Sequence, residues 1–326
     1  MLFKIFSHLF SLLALVSAMV PGVSSAQGFP DRPLKLVVGF PPGTPPDFIA
    51  RLLAQKMSES LKQPVVIDNR AGAGGQIATL SVVNSPADGY TLLLGEVGSI
   101  SIAPATFSKL QYDPAKQLTP LTEVTRSDFV LVVPAASPSN TIKEFMDRSK
   151  SAKDRINFAT FGTGTPGHFG AELLGTAGGF KVEPIHFRQS GDALAALLSG
   201  DAAAAFVTTA LAAPHVKAGK LKALASTGKM RSAQLPNVPT FAESGLPGID
   251  FSAWSALFVP AGTPEPVIER LSQEIVAAMR SPEVKSKVEE SGVTVTGTSR
   301  ADATRMTKEE TQRWAAVVKQ TGFKVD

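Results

Sequence analysis

The chain has 326 residues, with 32 Lys and Arg against 28 Asp and Glu, 4 histidines and no cysteine. Without cysteine there can be no disulfide, no thiolate metal site, no cysteine nucleophile and no lipid-modified N-terminal cysteine. The formal net charge of +4 is scattered rather than clustered, and no aromatic–basic interleaving occurs. That excludes an obvious nucleic-acid surface, while the mild positive excess suits small anions.

Residues 1–26 read as an export signal. Lys4 supplies the positive end, 9–19 the apolar core, and Ser24-Ser25-Ala26 a small-residue cleavage site ahead of Gln27. The alternative is a membrane anchor, which needs about 20 apolar residues; Pro21 and Gly22 end this run too soon. No other segment has the length and apolarity of a membrane span, so the processed chain is expected in the periplasm as a soluble monomer. With no disulfide to staple it, it must rest on its hydrophobic core.

Short apolar runs alternate with helix-period segments, the pattern of an α/β protein. The first strand, over 34–40, enters Pro41-Pro42-Gly43-Thr44-Pro45-Pro46-Asp47, and a helix follows with an apolar stripe of Phe48, Ile49, Leu52, Leu53, Met57 and Leu61. Such a junction is expected to aim unpaired helix-start N–H groups at one point, where they attract an anion. Further strands are expected over 65–68, 91–94, 129–133, 156–159, 182–186, 203–207, 223–226 and 256–259. Thr141 and Glu144 form a capping box ahead of Phe145 and Met146. Pro264 opens a helix through Met279 that buries Val267, Leu271 and Ile275. A last helix starts near Ala301 behind Ser299 and stops at Gly322.

Glycine-rich junctions recur after these strands: Pro42-Gly43-Thr44-Pro45, Gly95-Glu96-Val97-Gly98-Ser99, Gly162-Thr163-Gly164-Thr165-Pro166-Gly167 and Arg188-Gln189-Ser190-Gly191. Each alone reads more readily as a tight loop. Together they place N–H groups and short hydroxyls at the strand ends where open α/β sheets bind ligands, which predicts a polar pocket. The third matches G-x-G-x-x-G, but Pro166 interrupts it and His186-Phe187 stand where a ribose-binding acid belongs, so no nucleotide cofactor is expected. His168, His186 and His215 are isolated in sequence, so no metal site is expected. His168 either meets the ligand or caps its loop. No G-x-S-x-G elbow or Ser–His–Asp order supports a hydrolase. Asp47 and Glu96 are the acids on the candidate loops, and Asp47 reads first as a helix-start acid favoured by the macrodipole.

Several segments then resemble one family from end to end. They are Phe40-Pro41-Pro42-Gly43 with Asp47 and Ala50-Arg51, Asn69-Arg70-Ala71-Gly72-Ala73-Gly74-Gly75, Asp88-Gly89-Tyr90-Thr91, Tyr112-Asp113-Pro114, Leu235-Pro236-Asn237-Val238-Pro239-Thr240 and Pro260-Ala261-Gly262-Thr263-Pro264. The chain resembles the solute receptors of the tripartite tricarboxylate transporter family, the Bug or TctC-like periplasmic binding proteins. The resemblance implies a type II-like two-domain α/β fold, each domain a mainly parallel sheet flanked by helices. The domains would be 27–128 plus 251–326, and 129–250, with the chain changing domain near 129–133 and 256–259. A small carboxylate would bind between them by backbone amides and bridging waters, without catalysis or cofactor, for delivery to permease subunits. The alternatives are a ligand-sensing receptor and, from another class, an exported α/β hydrolase.

The family's first loop falls on Pro42, Gly43, Thr44 and Pro45, and its second on Gly162, Thr163, Gly164 and Thr165 with His168 after it; Asp47, Glu96, Ser99, Arg188, Gln189 and Thr208 complete the candidate ligand set. This chain departs from the family at Thr44, where a second glycine is common, and at Glu96, where Ser, Thr or Asn is common. It departs again at Phe187-Arg188-Gln189, in place of Tyr-Lys-Gly, and at Thr208, in place of a frequent Asp. An ionised Glu96 would repel a second carboxylate if it faces the pocket, and would be inconsequential if it faces solvent.

Overall fold

The computed structural model describes residues 28–187 and 190–325; the expected export signal, 1–26, lies outside them. The first strand, β1 (Leu34–Val38), leads through the proline turn to α1 (Pro45–Leu61), followed by β2 (Val65–Asn69), α2 (Gln76–Val83) and β3 (Thr91–Glu96). A π turn (Gly98–Ile102) and two short helices, α3 (Ala103–Thr106) and α4 (Pro114–Gln117), precede the long strand β4 (Leu118–Pro134). Then come α5 (Ile142–Ser151), β5 (Ile156–Thr160), α6 (Pro166–Gly178), β6 (Val182–His186), α7 (Ser190–Ser199), β7 (Ala205–Thr208), α8 (Thr209–Lys217) and β8 (Leu221–Ser226). The chain returns through β9 (Ser252–Pro260), α9 (Glu265–Arg280), α10 (Pro282–Glu290), β10 (Thr294–Val295) and α11 (Arg300–Thr321).

Strand β4 organises the molecule. Through 118–128 it pairs with β9, and through 129–134 it pairs with β7 and β8. The first sheet therefore runs β10-β4-β9-β3-β1-β2. The second continues from the far end of β4 through β7 to β5 and β6, with Ala159 donating its N–H to Ala204 O at 2.9 Å across the β5–β7 junction. Pairs β1–β2, β1–β3 and β5–β6 are parallel, whereas every pair made by β4 and β9 is antiparallel. The sheets are thus mixed where mainly parallel ones were expected. A strand that passes straight from one sheet into the next makes no helical crossover, and a parallel neighbour would require one.

The expected strand over 129–133 is only the upper third of β4. Pro120, Arg126, Ser127 and Asp128 interrupt the apolar run, and two bulges shift the register against β9. The run 256–259 likewise extends back to Ser252. On α1 the buried stripe is Ile49, Ala50, Leu53, Met57 and Leu61, while Phe48 is 40% exposed and leaves the expected set. This stripe packs with Leu36, Val38, Leu92 and Leu94 on one face of the first sheet, joined by Leu271 and Ile275 of α9. The other face, with Leu93, Phe258, Trp254 and Trp314, runs continuously into Phe251, Phe206, Phe169 and Phe158 of the second half. At its centre the buried Glu310 accepts from both indoles, Trp254 Nε1 at 3.3 Å and Trp314 Nε1 at 3.1 Å, tying α11 to β9.

The caps formed largely as expected. Thr141 Oγ1 accepts from Glu144 N–H at 3.1 Å, but Glu144 returns its bond to Asn140 N–H, one residue earlier than a capping box requires. Ser299 caps α11 through Asp302 N–H, and Gly322 ends it in the left-handed conformation.

Candidate functional site

The loops after β1, β2 and β3 meet on one edge of the first sheet. A Cβ on Gly39 would lie 2.7 Å from the Cα of Gly75, so the first two loops touch backbone to backbone and only glycine fits. Gly75 in turn lies against the Ser99 side chain. Asn69, the last residue of β2, donates to Phe40 O at 3.0 Å and to Asp47 Oδ1 at 2.9 Å. Asn69 and Gly75 belong to the resemblance but were not expected at the site. The clue lay in the glycine run that follows β2, because repeated glycines after a strand mark close backbone approach.

The first loop differs from the expected row of free N–H groups. Pro41, Pro42, Pro45 and Pro46 have none to offer. The Gly43 N–H is bound to Asp47 Oδ2 at 2.9 Å, and Thr44 N–H and Oγ1 both turn back to Pro41 O. The carboxylate of Asp47, expected at the ligand, has Oδ1 held by Asn69 and Oδ2 shared by Gly43 and Arg51 Nε, the latter at 2.9 Å. Asp47 thus shapes the loop. The Arg51 hydrogen bond, helped by Gly43 and Asn69 against the opposing effect of burial, lowers its pKa to about 2.

A carboxyl with a lowered folded pKa stabilises the fold above its unfolded value and loses that contribution as pH falls through its folded value. Asp47→Asn is therefore expected to cost about 1–2 kcal/mol at pH 7, discounted because Arg51 is half exposed. The difference from wild type should vanish as pH drops from about 4 to 2. Urea melts at pH 7 and pH 3 measure it, and an equal loss at both would show the charge to be irrelevant.

Glu96 ends β3. The register pairs Val38 with Leu94, so two residues on Glu96 stands level with Phe40, where the first loop begins. The residue keeps some solvent contact, and among the described residues no group hydrogen-bonds its carboxyl. Burial alone pushes its pKa up to about 8. Ser99, buried in the π turn, bonds back to Glu96 O, and its own carbonyl accepts from Tyr112 OH at 2.8 Å.

The second loop follows β5. Gly164 has φ +72, and its N–H donates to His168 Nδ1 at 3.2 Å. That bond assigns the neutral ring's proton to Nε2. Thr165 caps α6, accepting from His168 N–H and donating to Gly162 O. His168 is 1% exposed, and burial first, then the neighbouring His186, lower its pKa to about 4. It braces the loop from within, the second of the two roles open to it in sequence. His186, isolated in sequence, stands edge-on to it with ring centres 4.8 Å apart. No cluster of three metal-ligating side chains occurs among the described residues.

Thr208 closes β7 opposite Phe129, and the next residue, Thr209, donates its hydroxyl to Asp128 O at 3.1 Å. Arg188 and Gln189 lie outside the described residues. On the first sheet Glu96 pairs with Ser255, close to the start of β9 at Ser252, which itself pairs with Asp128. The C-terminal edges of both sheets, each carrying glycine–threonine loops, thus converge on the crossing at Asp128 and Phe129. A polar cavity of about 1100 Å³ on the β10 flank of β4 reaches the crossing itself, where Asp128, Thr209 and Ser252 line it, but includes none of the glycine–threonine loop residues. Several of its charges neutralise each other, Arg126 with Glu123 at 2.7 Å and Arg305 with Asp302 at 2.5 Å, as in a solvated groove.

Two α/β halves joined by crossing strands, with ligand-type loops gathered at the crossing, define the architecture of a periplasmic binding protein. The model of the tripartite tricarboxylate transporter family receptor matches residues 49–323. BugT of Bordetella pertussis is 33% identical over 312 residues, covering 95% of this chain and 96% of its own. Among solved structures, MatC of Rhodopseudomonas palustris, with bound malate, is 33% identical with a TM-score of 0.76 over 89% of this chain and 100% of that one. A second protein from that organism, solved with adipate, is 31% identical with a TM-score of 0.79 over 90% and 98%. The chain belongs to the tripartite tricarboxylate transporter receptor family.

Proposed function

We propose that this protein is a periplasmic solute receptor that captures a small organic carboxylate between two domains, 27–128 plus 251–326 and 129–250. The observation that carries the reading is the convergence of both sheets' C-terminal loops on one pair of crossing strands. A ligand there touches both halves at once, which is what drives hinge closure. The related structures that hold malate and adipate make dicarboxylates the first candidates. The second loop is the stronger anion contact. Its threonines stand beside the N-terminal amides of its helix, whereas prolines have removed most amides from the first. Waters fill the remaining distance to the first loop and Ser99.

The role is delivery rather than turnover, with a membrane permease as the expected recipient. The chain is exported to the periplasm with cleavage near Ala26, and the intact mass of the exported protein tests that cut. Titration with malate, adipate and a panel of mono- and dicarboxylates tests the binding. A ligand at 100 times its dissociation constant adds about 2.7 kcal/mol of stability. Saturable stabilisation without product is expected. Silence across the panel, or turnover of any member, overturns the reading.

A further inference from the structure

We propose that Phe323, carried in on the C-terminal helix, is a positioning residue for the second loop: its ring holds His168 so that Nδ1 keeps the Gly164 N–H. The functional consequence rests on the reading of that loop as a ligand contact; the positioning itself does not.

Gly322, left-handed at φ +67, turns the chain off the end of α11. The Phe323 ring then stands edge-on to His168, with centres 4.7 Å apart at 82°, and edge-on to Phe169 at 5.6 Å. On another side the His168 ring meets His186, whose Nδ1 is fixed 2.7 Å from Thr160 Oγ1. The imidazole is therefore boxed by Phe169 of its own helix, His186 of β6 and Phe323 of the tail. His186 is the titratable group that acts on it, and Lys324, next along the tail, is exposed.

The tail is also anchored in the first half. Val325 N–H donates to Thr106 O at 3.0 Å, in the helix directly after the π turn that carries Ser99. Upstream, α11 is tied to β9 through Glu310. A tail of a few residues thus spans from the segment after β3 on one sheet to the loop after β5 on the other. Edge-to-face aromatic contacts are directional, so this strut fixes the orientation of the His168 ring as well as excluding water from it.

The test is ¹⁵N-histidine NMR and amide exchange on the exported chain. In wild type, His168 should remain the neutral Nε2–H tautomer to below pH 5, because burial disfavours its cation. Phe323→Ala opens the box: the His168 pKa should rise by about a unit or more, and Gly164 amide exchange should quicken about tenfold. Phe323→Tyr should restore both. Affinity for whichever carboxylate binds should fall about tenfold in Phe323→Ala and recover in Phe323→Tyr. Val325→Pro, which removes the tail's anchoring N–H and spares the ring, should move the same readouts in the same direction and decides the matter if Phe323→Ala fails to fold. An unchanged His168 titration and Gly164 exchange in the folded variants overturns the proposal. If wild type binds no carboxylate, the ligand reading falls, and the NMR readouts still decide the positioning.

Discussion

Gly164→Val is expected to weaken carboxylate binding about a hundredfold while leaving the fold intact. Gly164 has φ +72, where a β-branched residue is a severe outlier. A Cβ at this position would meet nothing within 4 Å, so the penalty comes from backbone strain and not from a clash. Holding valine there costs about 1–3 kcal/mol. The loop relieves it by rotating the 163–164 peptide, which breaks the Gly164–His168 bond and turns the neighbouring amides away from the ligand. A loss of about 2.7 kcal/mol in binding corresponds to that hundredfold. Because the strain lies in a surface loop, the circular dichroism spectrum and urea m-value should match wild type. Gly164→Ala, less hindered, should fall between. Unchanged affinity in the valine variant, measured by calorimetry, would remove the second loop from the site.

Glu96→Gln should make the protein more stable at pH 8, by about 2 kcal/mol, and make no difference near pH 4. The sign follows from burial. The unfolded carboxyl ionises near its ordinary value of 4.5, whereas the folded one stays protonated until about 8. The unfolded state therefore releases its proton first, and the fold loses stability as pH rises between those values. The full shift would correspond to more than 4 kcal/mol, and the residue's remaining solvent contact reduces it to about half. Glutamine keeps the shape and cannot ionise. Parallel pH dependences for variant and wild type would mean that Glu96 is ionised in the fold. If Glu96 faces the ligand, the same burial changes the expected contact: a carboxyl kept protonated at neutral pH would donate a hydrogen bond to a carboxylate rather than repel it. Loss of affinity for a dicarboxylate above pH 8 in wild type, absent in Glu96→Gln, would follow from the same ionisation.

Local chemistry was a reliable guide wherever a few adjacent residues decide the outcome. Ser299 capped α11, Gly322 stopped it, and the stripe from Ile49 to Leu61 packed as its period required. It failed where partners are distant in sequence. Asp47 was legible as an acid on a candidate loop, but its commitment to Gly43, Arg51 and Asn69 depends on β2 lying beside β1, and only that pairing shows that it builds the loop. The first loop's prolines were visible from the start; their consequence, an edge short of amides, appears only when each N–H is followed to its acceptor. His168 and His186 looked solitary because 18 residues and a helix separate two rings that stand 4.8 Å apart.

By itself the sequence determined the family, the mixture of helices and strands, the absence of thiol chemistry and the positions of the glycine loops, because these follow from composition, periodicity and short motifs. The tertiary structure decided the rest. It alone shows that one strand serves two sheets, that the loop edges of both meet at Asp128 and Phe129, that the Glu96 carboxyl has no partner among the described residues, and that the C-terminal tail reaches His168. Each of these depends on burial and on contacts between residues far apart in the chain, and a linear pattern carries neither.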